Sequence, residues 1–367
     1  MKFIRFFSLL LVSSVLHFID AFGQLMVDTS YTPTELVQNI LIGQGVLASN
    51  ITYEGADSQR GFFNSQNSNV GIESGVILSN GDVHIAIGPN EAGGAGHNAL
   101  GNSDADLTQL SNVNTFDLVK LEFDFIPYGN VVEFKYAFAS EEYNEYVCAG
   151  VNDVFGFFLS GPEILGPFTS SAINMATIPG GSVPVSINTV NLGVAGVNGL
   201  QSNCLDIDPN FAQNNVYFVD NTTNMESTDI QYDGLTVELT AISEVIPDST
   251  YHIKIALADG GDGVFDSGVF LKTSSLRSYY VGPVGIDETR QNAYLEAYPQ
   301  PADESVSFGI EGSGWIIRIV DVTGKVQLEE TLYSNTLSIQ ELKAGIYFAF
   351  LQNNRTGESG FSRLIIQ

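Results

Sequence analysis

The segment "ALADGGDGVFDSGVFL" (Ala256–Leu271) places Asp259, Asp262 and Asp266 among Gly260, Gly261 and Gly263. A second acidic run, "ASEEYNEYVCAGVND", holds Glu141, Glu142, Glu145, Asn152 and Asp153. Carboxylates crowded into one loop repel each other unless a cation lies among them. Calcium takes about six to eight oxygens from carboxylates and backbone carbonyls, and a Gly/Asp loop supplies both. If the two runs meet, the expected ligands for Ca2+ are Asp153, Asp259, Asp262 and Asp266 with Glu141 or Glu142. The alternative is a solvated turn with Glu141 and Glu142 facing water. The spacing fits neither an EF-hand nor a repeated calcium nonapeptide, because the aspartate of "GGDGVFD" comes one place late and the unit occurs once.

Other chemistries find less support. Past the first 23 residues the histidines are His84, His97 and His252, and none sits in H-E-x-x-H. No G-x-S-x-G elbow occurs, so Ser267 in "FDSGVF" does not read as a nucleophile. A glycosidase needs two carboxylates flanking a bond, but the adjacent Glu141 and Glu142 point to opposite faces of any strand. "GPNEAGGAGHNALG" (88–101) lacks the Gly-Lys-Ser/Thr of a phosphate loop and reads as a flexible surface loop. Tyr143 and Tyr146 could stack on sugars, yet in a chain with 24 Phe and 15 Tyr such residues are expected in the core. A non-catalytic protein is expected, with a secreted carbohydrate-active hydrolase as the alternative.

The elements that must position these groups are mostly strands. In "LVKLEFDFI" Val119, Leu121, Phe123 and Phe125 alternate with Lys120, Glu122 and Asp124. "VEFKYAFA", "TVELTA" and "HIKIALA" repeat that period of two, and "VFGFFLSG" is apolar throughout. The pattern makes Asp259–Asp266 the connection of a β-hairpin and joins the other acidic run to strands at 132–139 and 154–160. One helix is expected after Thr32-Pro33-Thr34-Glu35, a capping box with proline at its first position. Leu36, Val37, Ile40 and Leu41 form its apolar stripe and Gly43 its stop. The fold class is all-β: a large sandwich or jelly roll with one short N-terminal helix, then a small immunoglobulin-like sandwich.

Composition sets the compartment. Lys2 and Arg5 precede an apolar run ending in Ala21-Phe22-Gly23, which marks residues 1–23 as a secretory signal. Without Lys2, Arg5 and Asp20 the basic count falls from 14 to 12 and the acidic count from 42 to 41, leaving a charge of −29. That surface repels nucleic acid and anionic membranes and attracts cations. With 44% hydrophobic residues the chain is folded, not an acidic disordered tail. Cys148 and Cys204 suit a disulfide in an exported protein; two separate buried thiols are the alternative.

A polar stretch, 281–292, separates residues 24–280 from a unit at 293–367. That unit carries strand patterns at 306–310, 315–321, 326–333, 336–338, 345–352 and 361–366. It resembles the C-terminal sorting domain of Bacteroidota proteins exported by the type IX secretion system. The matching residues are Tyr298-Pro299-Gln300-Pro301, Asp321-Val322-Thr323-Gly324-Lys325, Leu342-Lys343-Ala344-Gly345-Ile346-Tyr347 and the terminal Arg363-Leu364-Ile365-Ile366-Gln367. That family usually has Asn in place of Gln300 and often Lys in place of Arg363. The resemblance implies a sorting signal at Pro299, Pro301, Gly324, Lys325, Gly345, Tyr347 and Arg363. It also implies Sec export, then passage by the type IX machinery to the outer-membrane surface or beyond.

Residues 31–278 resemble the choice-of-anchor L domain of bacterial surface proteins. The resemblance rests on "LVQNILIGQGVLASNITYEG", "GIESGVILSNG", "LEFDFIPYGNVVEFKYAFASEEYNEYVCAGVNDVFGFFLSGP", "YDGLTVELTA" and "YHIKIALADGGDGVFDSGVFLK". It implies location more than activity. The expected function is adhesion to a glycan or matrix polymer, organised by calcium; a structural surface or matrix component is a further alternative.

Overall fold

A computed structural model of the chain describes residues 24–281 and 293–367, apart from 92, 100, 151, 224–225, 262, 311–313 and 354–357. The leader (1–23), nearly all of the polar stretch 281–292, and Asp262 lie outside the described residues.

The first unit is built from β1 (Met26–Asp28), β2 (Val46–Glu54), β3 (Arg60–Asn64), β4 (Ser74–Ser79), β5 (Thr115–Pro127), β6 (Val131–Ser140) and β7 (Val154–Ser160). It continues with β8 (Ile173–Asn174), β9 (Phe218–Asp220), β10 (Gly234–Thr236), β11 (Leu239–Glu244), β12 (Tyr251–Gly260), β13 (Ser267–Lys272) and β14 (Arg277–Tyr279). One sheet runs β1-β3-β4-β13-β6-β10-β9, with β11 and β14 also on β6; the other runs β2-β5-β12-β7-β8. Side chains of β5, β6, β7 and β12 meet between the sheets, where Phe123, Phe125, Phe134, Tyr136, Phe138 and Phe157 are buried. Burying each such ring is worth about 1.5–3 kcal/mol, which makes this aromatic layer the main support of the sandwich.

Alternation does not hold on every face. Ala137 and Ala139 of β6 are buried too, because Ile230 and Tyr232 cover the outside of the larger sheet. β7 is buried on both sides, since Leu107 and Ala172 close its outer face. The "TVELTA" strand is broken at Val237-Glu238, and both halves, β10 and β11, pair with β6.

The N-terminal helix forms as its cap dictates. Thr32 Oγ1 accepts from Glu35 N at 3.2 Å and Glu35 Oε2 accepts from Thr32 N at 2.8 Å. Leu36, Val37, Ile40 and Leu41 are buried as expected. The helix widens to a π-helix over Leu36–Leu41, and Ile42 N–H donates to Val37 O at 3.0 Å. Gly43 is not a helix stop. A Cβ there would overlap the Ser274 carbonyl, so Gly43 permits close backbone approach.

The predicted hairpin at Asp259–Asp266 is absent. β12 pairs with β5 and β7, whereas β13 pairs with β4 and β6 in the other sheet. The connection is therefore an arch that carries the chain between sheets. The run 141–153 is a second arch, from β6 to β7. Ser140 pairs with Ser267, and Ala258 pairs with Val154, so both arches close the same end of the sandwich. The chain leaves this unit after β14, whose Tyr279 pairs with Val131 at the opposite end of β6. β6 has 10 residues, a separation of about 30 Å at roughly 3.4 Å per residue.

The second unit has two sheets. One joins Ala293–Tyr294, Ser359–Ile366, Gly345–Asn353, Trp315–Asp321 and Val326–Leu332; the other joins Ala297–Tyr298, Ser305–Phe308 and Thr336–Ser338. Their core includes Trp315, Ile317, Ile319, Leu351 and Leu364. Gly324 takes a φ of 81° in the turn that Asp321 Oδ1 closes by accepting from Thr323 N at 2.9 Å. Gln300 ties the start of this unit to its last strand: Ile365 N donates to its Oε1 at 2.8 Å. Tyr347 OH donates to Lys343 O at 2.8 Å, and Arg363 is exposed.

Candidate functional site: the acidic arch end

Strand alternation sets which side chains face the closed end. Phe155 and Phe157 point between the sheets, so Asp153 two residues earlier does as well. The same count takes Val76 and Leu78 to Asn80, and Val269 and Leu271 back to Ser267. Asp259 follows a bulge after Leu257. Asn80 ties the group together. Its Nδ2 donates to Asp153 Oδ2 at 2.8 Å and also to Asp259 Oδ1, while its Oδ1 accepts from Ser267 N at 2.7 Å. Asn80 and Ser267 are fully buried, and Asp153 and Asp259 nearly so. Ser267 Oγ has no hydrogen-bond partner.

Around this centre lies a second tier. Asp266 Oδ2 accepts from His97 N at 2.9 Å, and Asp266 O accepts from Glu141 N at 3.0 Å. Gly81 lies against the Asp266 carboxyl, where any Cβ would collide with it. Glu142 Oε2 accepts from Asp153 N at 2.8 Å. Glu141 Oε2 accepts from Gly94 N at 3.3 Å, and its Oε1 is buried without a hydrogen bond. Glu141 and Glu142 are thus buried groups, not solvent-facing acids. The segment 88–101 is no free loop. Its amides at Ala99 and Gly101 donate to the Asp117 carboxylate at 3.0 and 2.9 Å, and with Gly94 and His97 they strap it over the arches. Its glycines let it lie flat: a Cβ on Gly96 would strike the Val264 carbonyl.

Burial, followed by neighbouring carboxylates, disfavours ionisation here. The Asp266 carboxyl is pushed up to about 8 by burial and by Asp153, Asp117 and Asp82, against the His97 N–H. Glu141 is pushed up to about 8 by burial and Asp233. Asp259 is raised by burial and by Asp153, Asp117 and Asp266. Among the described residues no three His, Cys, Asp or Glu side chains surround one point in ligating geometry. The Asn80 amide lies between the two innermost carboxylates instead.

Of the sequence-derived set, the structure brings Asp153, Asp259, Asp266, Glu141 and Glu142 to one end; Asp262 is outside the described residues. Asn80, Ser267 and Asp117 were not foreseen. Asn80-Gly81-Asp82 has the composition of an ordinary turn, and Asp117 sits inside an alternating strand with a φ of 51°.

A long excursion between β8 and β9 is clipped to the arch at 141–153. The Cys148–Cys204 disulfide joins them. Gly196 N and Leu200 N donate to Val147 O and Cys148 O, both at 2.9 Å. This clipped segment exposes Leu192, Val194, Val197, Leu200, Leu205, Ile207 and Val216 to solvent. Tyr143 is core, fully buried with its hydroxyl on Val190 O at 2.7 Å, and Tyr146 is partly buried with its ring 5.5 Å from that of Phe265. Neither forms an open sugar platform.

Two family descriptions match the chain, over ranges that correspond to its two units. The chain belongs to the choice-of-anchor L domain family, whose description matches residues 26–277. Residues 296–367 match the secretion system C-terminal sorting domain. The protein is therefore cargo of the type IX system, delivered to the cell surface or extracellular space, and neither domain type is catalytic. No helix among the described residues is long and apolar enough to cross a membrane.

No curated protein matches the chain. PorZ, a surface component of the type-IX secretion system of Porphyromonas gingivalis, aligns over 20% of this chain and 11% of its own, at 15% identity and a TM-score of 0.18. A β-1,2-glucanase from Parabacteroides distasonis aligns over 89% of this chain and 38% of its own, at 8% identity and a TM-score of 0.19. The chain thus spans well under half the length of either.

Proposed function

We propose that the protein is a non-catalytic adhesion or binding protein that holds a glycan or other matrix polymer through its arch end, in a calcium-dependent way. The observation that carries this reading is the clipped segment. A disulfide and main-chain hydrogen bonds fix it to an acidic arch while it displays seven large aliphatic side chains. Exported proteins expose apolar groups in such density mainly where something docks. Calcium enters because the arch carrying the clip is packed with carboxylates, and a cation there would stiffen the display. The hydrolase alternative gains nothing from the shallow depression beside Phe168, Met175 and Ile242, since no carboxylate lines it.

The test is retention of the whole exported chain on immobilised extracellular polysaccharide and matrix fractions, in calcium and in chelator. The expected result is calcium-dependent retention that a Val197→Asp, Leu200→Asp double variant loses. Retention that survives this double change removes the proposed face. Self-assembly with no retention on any fraction favours a structural component.

A further inference from the structure

We infer that the two arches enclose one calcium site inside the sandwich, with Asp153 and Asp259 as its charged ligands and Asn80 and Ser267 as its neutral oxygen ligands. The inference deepens the calcium clause of the reading above and does not depend on what the arch end binds.

Four observations converge. Asp259 on β12 and Asp153 just before β7 come from adjacent strands of one sheet and share a single Nδ2 donor, that of Asn80 from the other sheet, so the two carboxylates face a common small volume. Ser267 Oγ is fully buried with no hydrogen bond, and strand alternation aims it into the same volume. A buried orphan hydroxyl costs about 1–3 kcal/mol unless something pairs with it. Glu141 Oε1, on the neighbouring arch, is a second buried orphan acceptor. Each charge that acts on Asp259 and Asp266 comes from another carboxylate.

The chemistry selects the ion. Rotating the Asn80 amide would turn its oxygen toward the carboxylates, in exchange for the bond it accepts from Ser267 N, and two carboxylates, one amide and one hydroxyl then offer about six oxygens. This all-oxygen set contains no imidazole or thiolate, which argues against zinc and copper. Magnesium sheds its waters reluctantly and suits a dry interior poorly; calcium accepts irregular oxygen cages. The ion would be structural. It would lock two sheets together beneath the strap and would not touch the polymer.

The experiment is calorimetric titration of the whole exported chain with calcium chloride and, separately, magnesium chloride, alongside thermal melts in each ion and in chelator. Wild type is expected to bind one calcium and to melt higher in it. Ser267→Ala is the discriminating variant. In chelator its melting temperature should be unchanged or raised, because an orphan hydroxyl is gone. In calcium its affinity should fall about tenfold or more. Asp259→Asn should abolish the calcium response without lowering the chelator melt.

If wild type shows no calcium heat and no shift, both this site and the calcium clause fail. If wild type binds calcium and both variants bind it equally well, this site is wrong while calcium dependence stands through ligands elsewhere. A stronger response to magnesium would overturn the choice of ion. Polymer retention, measured separately, leaves each of these outcomes unchanged.

Discussion

β12 carries two buried charge clusters that are solved in opposite ways. On its outer face Lys254 Nζ donates to both Asp104 oxygens at 2.8 and 2.9 Å and to Asp106 Oδ2 at 2.6 Å, and it lies 4.7 Å from the Phe158 ring centre. Burial alone would raise Asp106, but the Lys254 ammonium and the Thr169 donors outweigh it and hold the carboxyl below its usual value. At the end of the same strand Asp259 faces Asp153 and Asp266, with Asn80 where the first cluster has its lysine. A built-in ammonium makes the first lock permanent. The second cluster has no ammonium among its described residues, and burial with the neighbouring carboxylates raises Asp259 and Asp266. The difference separates an ion pair complete in itself from carboxyl groups whose proton is favoured.

The largest expected effect breaks the permanent lock. Lys254→Met leaves Asp104 and Asp106 buried without their cation and should cost about 3–5 kcal/mol in a urea melt. A loss below about 1 kcal/mol would mean the pair is hydrated and the contrast false. Next comes calcium on wild type, which should add about 2.7 kcal/mol at a free concentration about 100 times the dissociation constant. The Lys254→Met chain should show the same gain if the clusters are independent.

A smaller effect is the pH slope. Asp266 and Glu141 titrate higher in the folded chain than unfolded, so their stabilising share is complete below about 4 and is lost as pH rises through about 8. Asp106 is lowered and has the reverse sign: its share is present above the unfolded value and lost as pH falls. The groups facing Asp266 are Asp82, Asp117 and Asp153 with the His97 amide, and all three charges favour its proton. In chelator, the melting temperature of wild type relative to Asp266→Asn should therefore fall from pH 5 to about 8, and saturating calcium should flatten it. An unchanged difference across that range would show that Asp266 is solvated.

The smallest effect lies on the half-exposed face, where His252 Nδ1 sits 2.8 Å from Asp124 and Nε2 3.5 Å from Glu122. Hydrogen bonding to Glu122 and the adjacent carboxylates raises this imidazole despite its partial burial. His252→Gln should cost under about 1 kcal/mol by the same melt, as solvent-screened pairs do. A larger loss would make this face a third locked cluster.

The sequence made the strands legible because period-two alternation reports which side chains are buried. It could not report partners. β12 and β13 each alternate correctly, and a hairpin and an inter-sheet arch produce the same pattern. The acidic residues of the arches were legible as a group because they are dense. Asn80 and Ser267 were not, since each is a lone polar residue with partners 73 or 187 positions away in the chain, and Asp117 was not, since its carboxylate is met by the amides of a segment without periodic pattern. The Gly88–Gly101 segment was misread for a related reason. Its glycines signal conformational freedom, but here they serve contact with Phe265 and Val264. Glu141 and Glu142 were open to either reading until the strap was seen above them.

One feature of the fold governs presentation. The exit at Tyr279 and the acidic arches occupy opposite poles of β6. A sorting tail fastened to the outer membrane would therefore act as the foot of a mast, holding the arches about 30 Å outward, near the length of β6. Trimming the tail would change how far the protein travels from its cell, while the arch end keeps its own fold.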